Sequence, residues 1–156
     1  MTTTFRLEPV TSENRGAAVG IRVRPEQERF VATVLESLEE AAATPTAWPR
    51  LVYDGDTAVG FVLGNFDPEN DVEAFRCGIW RLNVAAGAQG RGVGRYAVEA
   101  VVAEARRRGR DRVTVLWLRG DEGPEGFYRR MGFEPAGELF GQVVGVKEVP
   151  AAAGGA

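Results

Sequence analysis

The stretch Gln89-Gly90-Arg91-Gly92-Val93-Gly94-Arg95 constrains the fold of this chain more than any other. It joins a strand-like run, Gly78–Val84, to a helix-like run, Arg95–Arg108. A strand that opens into a glycine-rich turn and then a helix start is an anion site, because successive backbone N–H groups converge there and the helix dipole adds partial positive charge. Its glycines can take positive φ and let a bulky polyphosphate approach the backbone. The expected ligand carries a pyrophosphate.

Several readings compete for this loop. A Walker loop needs a lysine followed by serine or threonine, and the only lysine here is Lys147. A dinucleotide fingerprint can be written as Gly92-Val93-Gly94-Arg95-Tyr96-Ala97. Its first glycine should directly follow the strand, and its ribose-binding acid should end the next strand, yet Asp111 precedes that strand. A plain glycine-rich connection is the bland reading. The remaining reading uses the glutamine, as Leu82-x-Val84 followed by Gln89-x-x-Gly92-x-Gly94. Downstream stands Gly126-Phe127-Tyr128-Arg129-Arg130-Met131-Gly132-Phe133, in which Gly132 suits a helix end. By itself Tyr128 could be only an amphipathic core side chain. The two signatures together, in this order, resemble the acyl-CoA loop and the Tyr-x-x-x-Gly-Phe ending of the GCN5-related N-acetyltransferases. The resemblance runs from Phe5 to about Val149.

Two absences exclude other chemistries. The chain has no histidine, which removes imidazole bases, Ser-His and Cys-His nucleophiles and most transition-metal sites. It has one cysteine, Cys77, so no intrachain disulfide and no thiolate cluster. With Arg76 beside it Cys77 could be a nucleophile, but a small apolar strand residue is the simpler reading. No metal is expected. The net charge of −3 gives no nucleic-acid footprint. No apolar run reaches the length of a membrane span and the N-terminus lacks a signal-peptide core, so the cytosol is the expected location.

A pass along the chain predicts a strand over Phe5–Val10 and a short helix through Val19 capped by Thr11 or Ser12. A second helix begins at Pro25 and runs to Thr44, with Phe30, Val34, Leu38 and Ala42 as its buried stripe. Arg50–Tyr53 and Ala58–Gly64 form a hairpin around Asp54-Gly55-Asp56. An acidic loop, 67–71, leads into one long strand, Glu73–Val84. The helix after the glycine loop buries Val98, Val101, Val102 and Ala105 and ends at Gly109. A strand over Arg112–Leu118, a short helix over Glu125–Met131 and two strands, Phe133–Pro135 and Leu139–Val146, complete the order. This is a mixed α/β (α+β) sheet with a parallel central pair. The resemblance implies about seven strands, about four helices and a central pair that splays apart. Residues 1–150 are expected to form a single domain and 151–156 a frayed tail.

The resemblance also implies roles. Acetyl-CoA would be the co-substrate, its pyrophosphate held by the backbone from Gly90 through Arg91, Gly92, Val93 and Gly94 to Arg95, with Gln89 ordering the loop. Leu82, Asn83 and Val84 would pair with the pantetheine arm, the Val84 amide facing the thioester oxygen. Tyr128 would give a proton to the departing thiolate. Asp121 stands where many members carry an asparagine that contacts the cofactor. Many members also place a glutamate on the strand before the tyrosine helix, but Val113–Leu118 has no carboxylate; Glu73 is the substitute base considered.

Within the family the chain looks most like bacterial polyamine and diamine acetyltransferases. The shared pieces are Val10-Thr11 with Asn14, Val23 with Gln27, Ser37–Ala41, Arg81 and Gly137-Glu138. Arg81, on an apolar strand, calls for a carboxylate partner. The acids Glu26, Glu28, Glu36, Glu39, Glu40, Asp67, Glu69 and Asp71 would steer a cationic acceptor, with Trp48, Phe66 or Trp80 as aromatic faces. Other acceptors consistent with the residues are an amine-bearing antibiotic and a protein N-terminus or lysine. A non-catalytic acyl-CoA sensor is the alternative of another class. The apolar run Phe140–Val146 permits a homodimer.

Overall fold

The computed structural model describes residues 4–150, so the expected tail over 151–156 lies outside the described residues. A seven-stranded sheet forms the centre. In chain order its strands are β1 (Phe5–Pro9), β2 (Ala47–Asp54), β3 (Thr57–Phe66), β4 (Cys77–Val84), β5 (Arg112–Trp117), β6 (Glu134–Leu139) and β7 (Gln142–Glu148). They lie side by side as β1-β2-β3-β4-β5-β7-β6. All neighbours are antiparallel except β4 and β5. The expected mixed sheet with a parallel central pair is the observed one.

Four α-helices cover the sheet among the described residues: α1 (Arg15–Val19), α2 (Val34–Ala42), α3 (Val93–Arg107) and α4 (Glu125–Arg130). Strand alternation divides the core in two. Val52, Val59 and Val62 face α3 and α4, where Val98, Val101 and Ala105 are fully buried. Leu51, Tyr53, Phe61 and Leu63 face Ala18 of α1 and Val34 and Leu38 of α2. Each fully buried valine or leucine contributes about 1.5–3 kcal/mol relative to an exposed one. Gly60 lets α3 settle onto β3, since a Cβ there would lie 2.7 Å from Val93 Cγ1.

The last hairpin, expected as Phe133–Pro135 and Leu139–Val146, is Glu134–Leu139 and Gln142–Glu148 about a turn at Phe140 and Gly141, where both residues take positive φ. Three further elements differ from the sequence reading. Neither Thr11 nor Ser12 caps α1; Asn14 holds the N-cap position, and its Oδ1 accepts from the Thr11 amide at 2.7 Å, closing the turn before the helix. The helix expected from Pro25 is two pieces. A 3-10 turn, Pro25–Phe30, is followed by extended Val31, and α2 starts afresh behind Thr33. Thr33 and Glu36 form a reciprocal capping box, and that Thr-x-x-Glu spacing is a stop-and-restart signal. Ala42 is consequently exposed, not buried. The strand expected from Glu73 begins only at Cys77, because 73–75 form a 3-10 turn.

Among the described residues no helix is long and apolar enough to cross a membrane, and no cluster of three histidine, cysteine or acidic side chains is placed to hold a metal.

Candidate active site

The site grows from the way β4 and β5 part. They pair only at Gly78↔Thr114 and Ile79↔Val115. Beyond Ile79 the register of β4 against β3 shifts, so that Leu63 faces Arg81 while Gly64 faces Ile79. The extra residue, Trp80, bends β4 away from β5, as a bulge does. A cavity of about 620 Å³ opens between the carboxyl ends of the two strands.

One wall is the free edge of β4. The Ala85 amide donates to Val59 O at 2.9 Å on the β3 side. Alternation then turns the amide and carbonyl of Val84 away from β3 and into the opening. The Val84 carbonyl accepts there from Gln89 Nε2 at 3.1 Å. Leu82 and Val84 both line the cavity.

The glycine loop forms the second wall. Gly90 and Gly92 have φ of +81° and +87°, the left-handed region that favours glycine. A Cβ on Gly90 would meet nothing within 4 Å, so open space lies before the backbone. Gly92 precedes α3, and the first helical bond runs from Tyr96 N to Gly92 O. The amides of Val93, Gly94 and Arg95 are therefore the unpaired first-turn donors. This cradle of free amides and empty space fits a pyrophosphate. Gly94 also keeps α3 close to α4, for its Cβ would lie 3.0 Å from the Phe127 ring.

The third wall is α4 with the end of β5. The Tyr128 ring is stacked on Trp117 at 5.6 Å and 13°, and is edge-on to Phe127 and Phe133. Trp117 is itself fixed by its Nε1 donating to Glu125 Oε1 at 3.0 Å. Tyr128 is 6% exposed and lines the cavity. Burial pushes its phenol well above the usual value, so it stays protonated.

Of the expected cofactor residues, Leu82, Val84, Gln89, Gly90, Gly92, Val93, Gly94 and Arg95 line one cavity with Tyr128. The side chains of Asn83, Arg91 and Asp121 go elsewhere. Asn83 is buried and donates to Ala32 O at 3.0 Å. Arg91 reaches Asp54 at 3.7 Å. Asp121 is exposed, and its carbonyl accepts from Arg29. Glu73 sits at the amino ends of β4 and β5, paired with Arg112 at 3.2 Å, at the opposite end of the strands from the cavity, and so is too far away to serve as base. Cys77 is buried, and desolvation raises its thiol to about 11, against the pull of Arg110 and Arg108; it is a core residue, not a nucleophile.

The rest of the cavity lining includes Val23, Gln27, Phe30 and Val31 together with Trp80 and Arg81. Arg81 finds its partner in Glu40, at 2.9 Å. The other acids expected to steer a cation stand outside the cavity, and the 67–71 loop lies at the far end of β4. Trp48 and Phe66 are core residues covered by Arg50 and Arg108. The sequence reading missed Glu122, the one carboxylate among the lining residues, held at φ +67° in the loop before α4. It also missed Phe30 and Val31 as cavity walls, because it placed both inside a helix.

The acetyltransferase (GNAT) family model matches residues 8–133. The chain belongs to this family, and is with it an acetyl-CoA-dependent acyltransferase. No curated protein sequence matches it. Among solved structures it is similar to an acetyltransferase from Thermus thermophilus, with 19% identity and a TM-score of 0.67 over 93% of this chain and 97% of that one. The GNAT domain of S. lividans PAT gives 15% identity and a TM-score of 0.74 over 92% and 90%. A PaiA N-acetyltransferase from Thermoplasma acidophilum, solved with coenzyme A, gives 10% and 0.67 over 93% and 99%. At these identities the likeness is one of fold.

Proposed function

We propose that the chain moves the acetyl group of acetyl-CoA directly to a primary amine held in the same cavity. The observation that carries this reading is the convergence on one opening of the Val84 backbone, the amides opening α3 and Tyr128. Acetyl-CoA supplies the activated thioester. The first-turn amides of α3 hold phosphate charge. The Val84 amide donates to the acetyl oxygen, where negative charge develops during attack. The apolar walls Leu82, Phe127 and Trp117 exclude water. Tyr128 returns a proton to the sulfur, and Glu122 takes the proton of the attacking amine by way of water.

The proposed acceptor is a polyamine or diamine. Its support is the sequence resemblance together with the Trp80 face and Glu122, both of which suit an ammonium. One observation favours a second acceptor class. Arg81 stands in the cavity wall, and an amine that also bears a carboxylate would pair with it in competition with Glu40.

The test is CoA release from acetyl-CoA against spermidine, diamines, amino acids, amine-bearing antibiotics and short peptides. Rapid release with polyamines supports the first acceptor, and release with amino acids alone replaces it with the second. No release with any amine, despite tight acetyl-CoA binding, would mean an acceptor outside the panel or a non-catalytic sensor.

A further inference from the structure

A second, smaller cavity of about 210 Å³ lies at the other ends of the parallel pair, walled by Glu73, Arg76, Cys77, Arg110, Arg112 and Thr114, with Asp111 beside them. The volume is well above the roughly 30 Å³ that one water occupies in the liquid. Three guanidinium groups reach it, and its two carboxylates do not balance them. Glu73 and Asp111 both pair with Arg112, each at 3.2 Å. Arg76 donates its Nε to Asn70 O at 2.7 Å but meets no acid among the described residues. Arg110 is half-buried, and its Nε is shut off from solvent with no oxygen to accept from it, only the Cys77 thiol close enough to feel its charge.

A guanidinium cannot shed its proton to escape such a setting. A donor shut off from water and left unmade is costly, and a half-buried charge without a counter-ion bears part of the cost of a buried one. Both Arg110 and Arg76 present planar donors suited to oxygen anions. Thr114 adds little, since its hydroxyl is already spent on Ala74 O and Cys77 O. Among the described residues the fold thus leaves two cations facing one cavity with no acid of their own.

We propose that this cavity binds a small tetrahedral oxyanion, phosphate, sulfate or a phosphate monoester, between Arg76 and Arg110. The site is separate from the cleft that takes acetyl-CoA, because it opens at the amino ends of β4 and β5. Its ligand supplies the counter-charge that Arg76 and Arg110 lack and stabilises the junction where 73–76 pack against β5.

The test is an amide-resolved NMR titration of the full chain with inorganic phosphate, sulfate and phenyl phosphate, against chloride at matched ionic strength. Saturable shifts at Cys77, Asp111 and Thr114 are expected with at least one of the three oxyanions. Arg110→Gln is expected to weaken them at least about tenfold, as loss of a charged donor pair does. Arg76→Gln gives the same result and carries the test alone if the first variant does not fold. The proposal is overturned if the shifts are confined to Gly90–Gly94, if chloride reproduces them, or if both variants bind like the parent.

Discussion

The carboxamides of Gln27 and Gln89 exchange two hydrogen bonds, Gln89 Nε2 to Gln27 Oε1 at 2.7 Å and Gln27 Nε2 to Gln89 Oε1 at 3.1 Å. Gln27 Oε1 also accepts from the Arg24 amide, and Gln89 Nε2 also reaches Val84 O. The pair therefore fastens the 3-10 turn Pro25–Phe30 to both the glycine loop and the cavity edge of β4. The turn has no buried residue to hold it otherwise. Gln27→Ala should raise the KM of the amine and of acetyl-CoA together, each several-fold, although residue 27 lies outside the glycine loop's own chain segment. Steady-state kinetics with both substrates varied checks this. An effect on the amine alone would mean that the pair does not couple the walls.

The loop assignment is tested at Gly92. Its φ of +87° tolerates asparagine better than most residues, and a Cβ there would meet only Phe5, at 4.0 Å. Gly92→Asp and Gly92→Asn should therefore be comparably strained. Only the first puts a carboxylate beside the phosphate cradle. The aspartate variant should lose acetyl-CoA affinity by at least about tenfold relative to the asparagine variant, the equivalent of about 1.4 kcal/mol. Calorimetry with acetyl-CoA decides it; equal affinities would remove the pyrophosphate from this loop.

What the sequence made legible was local. The glutamine–glycine loop, the stripe of α3 and the Tyr128–Gly132 spacing each act within one element or its cap, and the structure carries all three. What it hid was tertiary. Gln89 was legible as a loop-ordering residue, but its partner Gln27 is 62 positions away. Arg81 announced a need for a carboxylate without naming Glu40. The break at 31–33 was encoded in the Thr33–Glu36 box, but the four-residue spacing of Phe30, Val34 and Leu38 read straight through it. Phe30 keeps that spacing while its ring serves the cavity wall. Periodicity reports burial and does not say against what. The missing base shows the same limit: Glu73 looked near the chemistry only because 73–84 looked like one strand.

Acid stability has a local source at the end of α3. Glu104 accepts from Arg107 Nε at 3.0 Å and from Arg108 Nε at 2.8 Å. Hydrogen bonding from Arg107 first, then Arg108, lowers its carboxyl from 4.5 to about 2. A carboxyl depressed in the folded state contributes stability above its unfolded value and loses it as the pH falls toward the folded value. Urea unfolding of the parent and Glu104→Gln should therefore differ most near neutral pH. The difference should shrink between pH 4.5 and 2. Arg107 is largely exposed, so salt should reduce the gap. A gap independent of pH would assign the effect to packing.

Tyr128 carries the sharpest prediction for catalysis. Its ring is held by Trp117, Phe127 and Phe133, so Tyr128→Phe keeps the packing and deletes only the hydroxyl. Turnover should fall by at least about tenfold, and by about a hundredfold or more if Tyr128 is the sole general acid, with acetyl-CoA affinity nearly unchanged. The pH profile adds a second readout. Because burial raises the phenol, the donor form persists through the alkaline range, and ionisation of Tyr128 should produce no falling limb near its ordinary value of 10. The same shift means that folding stability attributable to this group is intact below that value and declines as pH climbs above it. Stopped-flow CoA release from parent and variant across the range from neutral to the phenol's ordinary value of 10 measures the rate term at once. Equal rates would take Tyr128 out of proton transfer and leave it a core aromatic. A loss confined to high pH would instead mark it as a group that must ionise, contrary to the burial its stacked neighbours impose.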